Sequence, residues 1–204
     1  MGFVRQEAAR SGVERFAESE IPTDFGTFRL VVYRSLATGD EHVAIVRGEI
    51  AGLASVLCRV HSECWTGESL GSLRCDCRAQ LDLAFAEIAR EGAGVVVYLR
   101  QEGRGIGLGN KVRAYALQDE GHDTVDANKM LGFPADARRY DVAAVILRDL
   151  GVPSIRLLTN NPDKVKALVA AGIPVDGRVP IRTEPNEMNA GYLKTKRDRL
   201  GHLL

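Results

Sequence analysis

Short apolar runs alternate with stretches of helical periodicity through the middle of the chain, and this alternation constrains the fold more than any other feature. Residues 95–99 and 154–158 have the composition of buried strands. Residues 76–90 place apolar side chains at helical spacing, and Gly92 stands where a helix stop is expected. Strands that alternate with helices predict an α/β fold, in which helices pack on a mixed β-sheet.

The first third of the chain is richer in strand candidates than the rest. Residues 28–35, 43–47 and 53–60 are runs rich in β-branched residues, separated by glycine and charged residues, and they predict an antiparallel start to the sheet. No linker composition divides the chain after this point. We therefore expect one compact domain over residues 26–204, preceded by an N-terminal extension, residues 1–25, whose role the sequence does not indicate.

Helix signals recur in the second half of the chain. One helix is expected to start near Asp136, which is a suitable N-cap, and to end at Gly151. Asn161 and Pro162 are typical of the N-cap and first position of another helix, which follows the strand predicted at 154–158. The mostly polar C-terminal segment from residue 186 is also predicted to be helical.

Composition narrows the class of protein. Lysine plus arginine and aspartate plus glutamate each number 27, so the chain lacks the basic surplus typical of nucleic-acid binders. The first twenty residues contain no uninterrupted apolar stretch, which argues against a signal peptide or a membrane span and favours a cytoplasmic protein without a membrane partner. In a reducing compartment, four cysteines are better suited to metal binding or catalysis than to disulfides.

Three of the four cysteines lie within the segment CWTGESLGSLRCDC, residues 64–77. The spacing of Cys64, Cys75 and Cys77 differs from the CxxC pairs of structural zinc sites, and three thiols suit an open, catalytic zinc site that keeps one position for water or substrate. Two alternatives stay open at this point: the thiols are small buried hydrophobic groups, or Cys58 or His61 completes a structural site. Cys58 alternates with valines on one strand face, which favours a core position.

Two segments have the composition of anion-binding sites. The sequence GRGIGLG, residues 103–109, follows a predicted strand and precedes a predicted helix, and Arg104 and Lys111 add positive charge there. Thr159 ends the later strand, and Lys164 lies in the first turn of the helix that follows. Each feature also has a simpler explanation, a glycine turn in one case and an ordinary helix cap in the other.

Four sequence blocks together resemble the GTP cyclohydrolase II family, over roughly residues 26–204. The joint occurrence of the blocks in this order is far more specific than any one of them. The chain is too short to include the dihydroxybutanone-phosphate synthase domain that is fused to this enzyme in some proteins. The blocks are RVHSECWTGESLGSLRCDCRAQL from Arg59, YLRQEGRGIGLGNKVRAYALQDEGHDTVDANKMLGFPADAR from Tyr98, RLLTNNPDK from Arg156 and YLKTKRDRLGH near the C-terminus.

The resemblance implies a zinc-dependent hydrolysis of GTP. It implies release of formate and pyrophosphate to give 2,5-diamino-6-(5-phosphoribosylamino)pyrimidin-4(3H)-one, the first committed step of riboflavin biosynthesis. Cys64, Cys75 and Cys77 match the zinc ligands of the family, with one Zn²⁺ per subunit, and the pyrophosphate half of the reaction calls for Mg²⁺. The resemblance also implies a homodimer.

Three residues match catalytic positions of the family. Tyr115 is expected to orient or protonate groups at the opening ring, although a core aromatic is its simpler interpretation. Asp136 matches a proton acceptor and Arg138 a nucleophile. Because a guanidinium has a pKa above about 12, a clamp on the developing charge is the physically easier role for Arg138.

The resemblance also implies a set of GTP-binding residues. The arginines and lysine of this set suit phosphates, whereas its carboxamide and carboxylate side chains suit the guanine edge or magnesium. His61 has a second interpretation, as a proton shuttle. The set comprises Arg59, Val60, His61, Ser62, Glu63, Gln80, Glu102, Gly103, Arg104, Thr124, Thr159 and Lys164.

Three further residues and two rival functions complete the expectations. Arg74 and Arg78 neighbour the cysteines in sequence and are candidates to offset thiolate charge, and Trp65 beside Cys64 is a candidate to narrow the pocket or shield the metal. One rival function is a related cyclohydrolase that stops at the formamide product. The other is a zinc-stabilised nucleotide-binding module without turnover.

Overall fold

Seven strands form a single mixed sheet in the computed structural model, which describes residues 12–203. The strand order is β1-β2-β3-β5-β4-β6-β7. The strands are β1 Val13–Thr23, β2 Gly26–Ser35, β3 Glu41–Arg47, β4 Val56–Ser62, β5 Gly94–Leu99, β6 Ile155–Leu158 and β7 Val175–Val179. The helices are α1 Trp65–Glu68, α2 Cys77–Glu91, α3 Glu102–Gly105, α4 Gly107–Asp119, α5 Thr124–Met130, α6 Asp141–Asp149, α7 Pro162–Ala170 and α8 Ala190–Leu200.

The sheet is antiparallel in its first half and parallel in its second. Strands β1, β2, β3 and β5 pair antiparallel in that order, whereas β4 pairs parallel with β5 and β6, and β6 pairs parallel with β7. The predicted α/β class with a mixed sheet is confirmed. The prediction that the third strand belongs to an antiparallel start was wrong: β4 lies between two parallel neighbours, and its nearly uninterrupted burial is typical of a strand covered on both faces.

Helices cover both faces of the parallel half and create two hydrophobic cores. On one face, Val60 of β4 packs in the same cluster as Ile146 of α6 and Leu168 of α7. On the other face, Leu57 packs with Ile88 of α2. Each fully buried aliphatic side chain stabilises the fold by about 1.5–3 kcal/mol. Cys58 is fully buried in the first core, as its alternation with valines predicted.

Two strands were not predicted from the sequence. Strand β1 pairs along β2 although its side chains are exposed after Val13, so it lacks the apolar alternation that marks a strand. Strand β7 is short and half-exposed. The predicted boundary between extension and domain, at residue 25, falls within the β1–β2 hairpin, and residues 1–11 of the extension lie outside the described residues. Within the described part of the chain, no helix combines the length and apolarity needed to cross a membrane.

The helix predictions hold in part. Asn161 caps α7 by accepting a hydrogen bond from the amide of Asp163, and the C-terminal helix is present as α8. Helix α6 begins at Asp141, not near Asp136, so the predicted N-cap role of Asp136 was wrong. The Asp136 carboxylate instead accepts hydrogen bonds from the backbone amide and guanidinium of Arg138. Helix α5 was not predicted.

The topology creates a crevice at one edge of the sheet. The chain passes from β4 to β5 on one side and later returns to β6 on the other side of β4. The connection from β6 then leads further out to β7, so the connections from the neighbouring strands β4 and β6 run in opposite directions. Crevices at the carboxyl ends of strands at such a switch point commonly bind ligands. The segments that follow β4, β5 and β6 carry most of the predicted site residues.

Candidate active site

A cleft with an empty volume of about 1030 Å³ lies at the carboxyl ends of β4, β5 and β6. Of the predicted site residues, Val60 and Asp136 do not line it: Val60 is a core residue, and Asp136 lies behind Arg138 as its ion-pair partner. The structure brings the other predicted residues together around the cleft. They are Arg59, His61, Ser62, Glu63, Cys64, Cys75, Cys77, Gln80, Glu102, Gly103, Arg104, Tyr115, Thr124, Arg138, Thr159 and Lys164.

The three thiols converge at one end of the cleft. Cys64 precedes α1, and Cys75 and Cys77 lie on either side of the α2 N-cap. The three Sγ atoms lie within 4.8 Å of one another, and those of Cys64 and Cys75 are 3.7 Å apart. Two sulfurs bound to one tetrahedral zinc at about 2.3 Å would lie about 3.8 Å apart. The thiol geometry therefore fits one zinc ion.

A glycine of α1 makes room for this approach. A Cβ atom at Gly67 would lie 2.9 Å from Sγ of Cys75 and 3.2 Å from Sγ of Cys64. Any side chain at position 67 would collide with the thiols. Helix α1 can therefore lie over them only because this residue is glycine. The cluster is thus a close-packed pocket of the fold rather than three thiols on a loose loop.

Charge within the cluster is strongly coupled. Contacts with Cys75 and Cys77, together with Lys111, hold the pKa of the Cys64 thiol well below its usual range. The hydrogen bond to Cys64 in turn raises the pKa of Cys75, and contact with both neighbours raises that of Cys77 well above its usual value. One thiolate therefore opposes the ionisation of the other two, a conflict that a divalent cation bound among them would remove.

The site contains three thiols rather than four ligands. Within residues 12–203, the metal-capable group at this position consists of the three cysteines alone. Nε2 of His61 lies 2.8 Å from the Glu68 carboxylate, which also accepts hydrogen bonds from the Cys64 amide and the Tyr98 hydroxyl. His61 is therefore part of the hydrogen-bonded group around Glu68, behind the thiols. Cys58 lies in the hydrophobic core. Neither candidate for a fourth ligand belongs to the metal-capable group, although Nδ1 of His61 is buried without a hydrogen-bond partner, so the geometry favours the open site.

Lys111 of α4 reaches the thiols directly. Its Nζ lies 3.1 Å from Sγ of Cys64 and 2.8 Å from Oε1 of Glu102. Although burial works against the charged ammonium, the Cys64 thiolate and Glu102 raise the pKa of Lys111, so that it stays protonated. Sequence proximity had instead indicated Arg74 and Arg78. These two arginines pair with Asp119 and Asp82 respectively.

Tyr115 stands beside the thiol cluster on the same helix as Lys111. Its hydroxyl lies 3.5 Å from Oγ1 of Thr66, which itself is 3.8 Å from Sγ of Cys64. The guanidinium of Arg74 lies 5.1 Å from the centre of the Tyr115 ring. Burial raises the pKa of Tyr115, so its hydroxyl keeps its proton at neutral pH.

Trp65 lies at the outer side of this end. It follows Cys64 and its side chain is about half exposed, at 47%. Its backbone amide donates to the Glu102 carboxylate at 2.5 Å, and the residue is not part of the cleft wall. The indole therefore does not narrow the cleft, and a role of Trp65 in shielding the metal stays a prediction.

A second group of cleft residues, called the cation end below, is rich in cations. Arg59 donates to Gln80 and to the carbonyl of Leu158, and Gln80 donates to Asp76. Lys196 of α8 pairs with the same carboxylate at 2.7 Å. Asp76 is thus shared among several buried donors, although it lies next to two of the thiols in sequence.

Lys164 is the most confined of these cations. It is 4% exposed, and its ammonium donates to the carbonyl of Val60 at 2.7 Å. Burial, together with the nearby guanidinium groups of Arg59 and Arg138, lowers the pKa of Lys164 well below its usual value. This burial excludes a solvated lysine as the simpler explanation of Lys164, although Asn161 does cap the helix, and a role of Lys164 in anion binding stays a prediction.

The loop that carries Arg138 packs against the glycine-rich turn. The amide of Ala137 donates to the carbonyl of Arg104 at 3.0 Å, and Arg104 has a left-handed backbone with φ of 60°. A Cβ at Gly105 would lie 3.0 Å from the Ala137 carbonyl oxygen. The glycine therefore allows two segments to approach closely. The turn aims Arg104 into the cleft, where its Nη1 is buried without a hydrogen-bond partner.

Several cleft residues were not predicted. Tyr192, Lys196 and His202 come from α8 and the residues after it, and Asn128 comes from α5. Burial and nearby cations, of which Lys196 contributes most, lower the pKa of His202 to about 3. The block YLKTKRDRLGH contained the α8 residues, and the signal that could have indicated them was a lysine and a tyrosine at helical spacing within it.

Comparison with known proteins gives a consistent family. A family model described as GTP cyclohydrolase II matches residues 14–180. The chain is 55% identical to a GTP cyclohydrolase-2 of Escherichia fergusonii over 192 residues, covering 94% of this chain and 97% of that protein. It is 56% identical to a riboflavin biosynthesis protein RibBA of Bacillus cereus, again over 94% of this chain, but it spans only 48% of that longer relative.

A solved structure is also similar. It is a crystal structure of RibBX, described as a two-domain 3,4-dihydroxy-2-butanone 4-phosphate synthase from A. baumannii. The sequence identity is 24% and the TM-score 0.49, and the alignment covers 89% of this chain and 44% of that chain.

Proposed function

This chain belongs to the GTP cyclohydrolase II family, and from that premise we propose that it hydrolyses GTP with release of formate and pyrophosphate. The product would be 2,5-diamino-6-(5-phosphoribosylamino)pyrimidin-4(3H)-one, and the reaction would be the first committed step of riboflavin biosynthesis. One observation carries the proposal: a single cleft is lined both by a cluster of three thiols, the thiol end, and by a cluster of buried cations, the cation end. A nucleotide triphosphate needs two such unlike ends, since its base and its phosphates require different chemistry.

The thiol end suits the ring-opening half. We assign Cys64, Cys75 and Cys77 as ligands of one Zn²⁺ per subunit, because three soft thiolates at this separation match zinc. Zinc bound there supplies Lewis acidity for the hydrolysis at C8 of guanine. Lys111 donates to Cys64, and Thr66 lies between Cys64 and Tyr115, so the chain holds a cation and two hydroxyl groups next to the metal position.

Tyr115 is the best candidate for the proton donor at the opening ring. Burial raises its pKa, so the hydroxyl is protonated at the pH where the reaction runs and can donate to a nitrogen that leaves carbon. Its hydroxyl lies close to Thr66, beside the thiols. An aromatic residue that only filled the core would not need a hydroxyl group such as that of Thr66 beside it.

The cation end suits the pyrophosphate half. Although burial lowers the pKa of a guanidinium, the hydrogen bonds that Arg138 donates to Asp136 raise the pKa of Arg138 overall, so that Arg138 remains charged. A charged guanidinium stabilises developing negative charge on phosphate oxygens, whereas it is a poor nucleophile. We therefore assign Arg138 as a clamp on the phosphate undergoing attack. Asp136 orients this clamp through its ion pair.

The remaining GTP-binding assignments are distributed around the same cleft. Arg59, Arg104 and Lys164 face the phosphates in this proposal, with Mg²⁺ carried by the triphosphate. The other members surround the base and ribose, and Val60 contributes only through its carbonyl, which accepts from Lys164. We also propose that the enzyme is a homodimer, as the family resemblance implies, and that it acts in the cytoplasm.

Incubation of the zinc-loaded protein with GTP and Mg²⁺ tests this function. Enzymatic assays of formate and pyrophosphate, with chromatography of the nucleotide product, should detect both small products and loss of the guanine absorbance. Pyrophosphate with a retained formamide would favour the related cyclohydrolase that stops early. Bound GTP without either product would favour a nucleotide-binding module.

A further inference from the structure

Lys111 is the one cation that donates a hydrogen bond to a thiol within the described residues, whereas the sequence had indicated it only as positive charge beside a candidate anion-binding turn. We propose that Lys111 is a positioning residue of the metal site, which donates a hydrogen bond to the Cys64 thiolate and thereby weakens the donation of this ligand to the metal. The inference rests on the proposed function, because it takes the three cysteines as metal ligands.

The contact is short and sheltered. Nζ of Lys111 lies 3.1 Å from Sγ of Cys64, and the lysine side chain is 11% exposed. Nitrogen-to-sulfur contacts of this length are charge-assisted hydrogen bonds when the donor is an ammonium. Little water competes for the ammonium at this exposure. The interaction is therefore worth more than an exposed pair.

Several contacts hold the ammonium at this place. Oε1 of Glu102 lies 2.8 Å from Nζ and also accepts from the Gly103 amide at 2.6 Å, while Oε2 accepts from the Trp65 amide at 2.5 Å. Gly103 has φ of 63°, and a Cβ there would lie 3.1 Å from Cβ of Lys111. The turn after β5 therefore leaves room for the lysine stem and fixes the carboxylate that aims its head.

The physical need for such a donor follows from the ligand set. Three thiolates exceed the charge of one Zn²⁺ by one unit and make the metal a weaker Lewis acid than neutral ligands do. A hydrogen bond to a coordinating sulfur withdraws electron density from it, and groups of this kind adjust metal sites. The negative charge of Glu102 offsets the positive charge of Lys111. The effect of Lys111 on the metal therefore depends on its N–H···S hydrogen bond rather than on net charge. Two backbone amides also satisfy Glu102.

Cobalt(II) substitution gives a readout that does not depend on turnover. Protein loaded with Co²⁺ in place of zinc should show a thiolate-to-cobalt charge-transfer band. In Lys111→Met this band should shift to longer wavelength, because a thiolate that has lost its hydrogen bond gives up an electron more readily. Lys111→Arg should keep the position of the wild-type band. Arg113→Met, the same substitution type on an exposed residue of the same helix, should leave it unchanged.

Turnover separates positioning from folding. Formate release by zinc-loaded Lys111→Met should fall about 10- to 100-fold, the usual range for a group that supports a metal ligand. Pyrophosphate release should be unchanged, and Lys111→Arg should recover most of the formate rate. The double variant Lys111→Met with Glu102→Gln, which leaves no lone carboxylate beside the thiols, should show the same band shift as the single variant.

Clear outcomes would overturn the inference. An unshifted band in both Lys111→Met and the double variant, with cobalt bound, would show that the contact does not affect the metal. Loss of cobalt binding in Lys111→Met counts in favour of the inference only if Lys111→Arg restores it, and loss in both variants counts against it. Wild-type protein that binds no cobalt at the cysteines would instead refute the metal assignment of the proposed function.

Discussion

The two ends of the cleft satisfy their charges in opposite ways. At the thiol end, Lys111 contacts both Cys64 and Glu102, and Glu68 joins His61, Tyr98 and the Cys64 amide. At the cation end, Nε of Arg59 and Nη1 of Arg104 are buried without a partner. Among the described residues of the thiol end, Nδ1 of His61 is the one such atom, and the other polar groups there serve one another, whereas the cation end keeps two charged donors that the chain does not satisfy.

This difference indicates what each end requires from a ligand. Buried donors without acceptors cost about 1–3 kcal/mol each, and a polyanion that enters the cleft would remove this cost. The thiol end needs a metal ion to relieve the conflict among its thiols. The cation end is therefore built for the phosphates and the thiol end for chemistry on the base. If so, substitutions at the two ends should have separable effects.

The largest effect is expected at the thiol end. Cys75→Ser should lower formate release more than about 100-fold, because loss of a ligand exceeds the loss of a group that only supports one. The unfolding free energy of the metal-free protein should change little. Formate assays and denaturant unfolding of the metal-free protein measure the two quantities.

Cys58→Ser is the matched control for that variant. Cys58 is fully buried in the core, so a serine hydroxyl there has no partner and should cost about 1–3 kcal/mol of stability. Formate release should persist below the unfolding temperature. Equal losses of formate release in the two folded variants would contradict the separation of site from core.

The next effect concerns the cation end. Arg138→Met should lower pyrophosphate release about 100- to 1000-fold, since it removes a charge from the phosphate undergoing attack. Zinc content and the cobalt spectrum should remain those of wild type. Arg139→Met is the control, because that side chain is 80% exposed and pairs with Asp141. Altered metal content in Arg138→Met would show that the two ends are not independent.

The smallest effect is expected at Lys164, where the substitution should stabilise the fold. Because burial lowers the pKa of Lys164, the unfolded chain binds a proton that the folded chain binds weakly, and this difference destabilises the fold. Lys164→Met should therefore raise the unfolding free energy near neutral pH, while the KM for GTP rises. The gain should shrink as pH rises toward the usual lysine value of 10.5.

Denaturant unfolding of both proteins at several pH values checks the sign of this effect. Unfolded lysine loses its proton as pH approaches its usual pKa, so the penalty carried by the wild-type protein disappears there. A stability gain that grows with pH would contradict the assignment of Lys164 as a buried, charge-poor lysine.

The sequence predicted some parts of this molecule for clear physical reasons. The fold class followed from alternating buried strands and helices, and the helix cap at Asn161 followed from local chemistry. The spacing of Cys64, Cys75 and Cys77 suited a site of three thiols but left alternatives open, and the family resemblance implied that all three bind one metal; the structure brings their sulfurs together. These features are local in sequence or require only a count of ligands.

Other parts depend on contacts that no local pattern carries. Lys196 and Asp76 pair across 120 residues of sequence, and Lys111 meets Cys64 across 47. Strand β1 is almost entirely exposed, so it forms by pairing with β2 rather than through an apolar face. Helix α6 starts at Asp141 and not at the predicted position near Asp136, because the Asp136 carboxylate binds Arg138 instead of capping a helix.

Removal of zinc from the wild-type protein tests the division of the cleft most directly. The protein is stripped with a chelator, transferred to chelator-free buffer with Mg²⁺ and GTP, and assayed for pyrophosphate and formate before and after zinc is returned. We predict that pyrophosphate release continues without zinc, that formate is absent, and that added zinc restores formate. Loss of both products in folded, zinc-free protein, or continued formate release without zinc, would contradict the account.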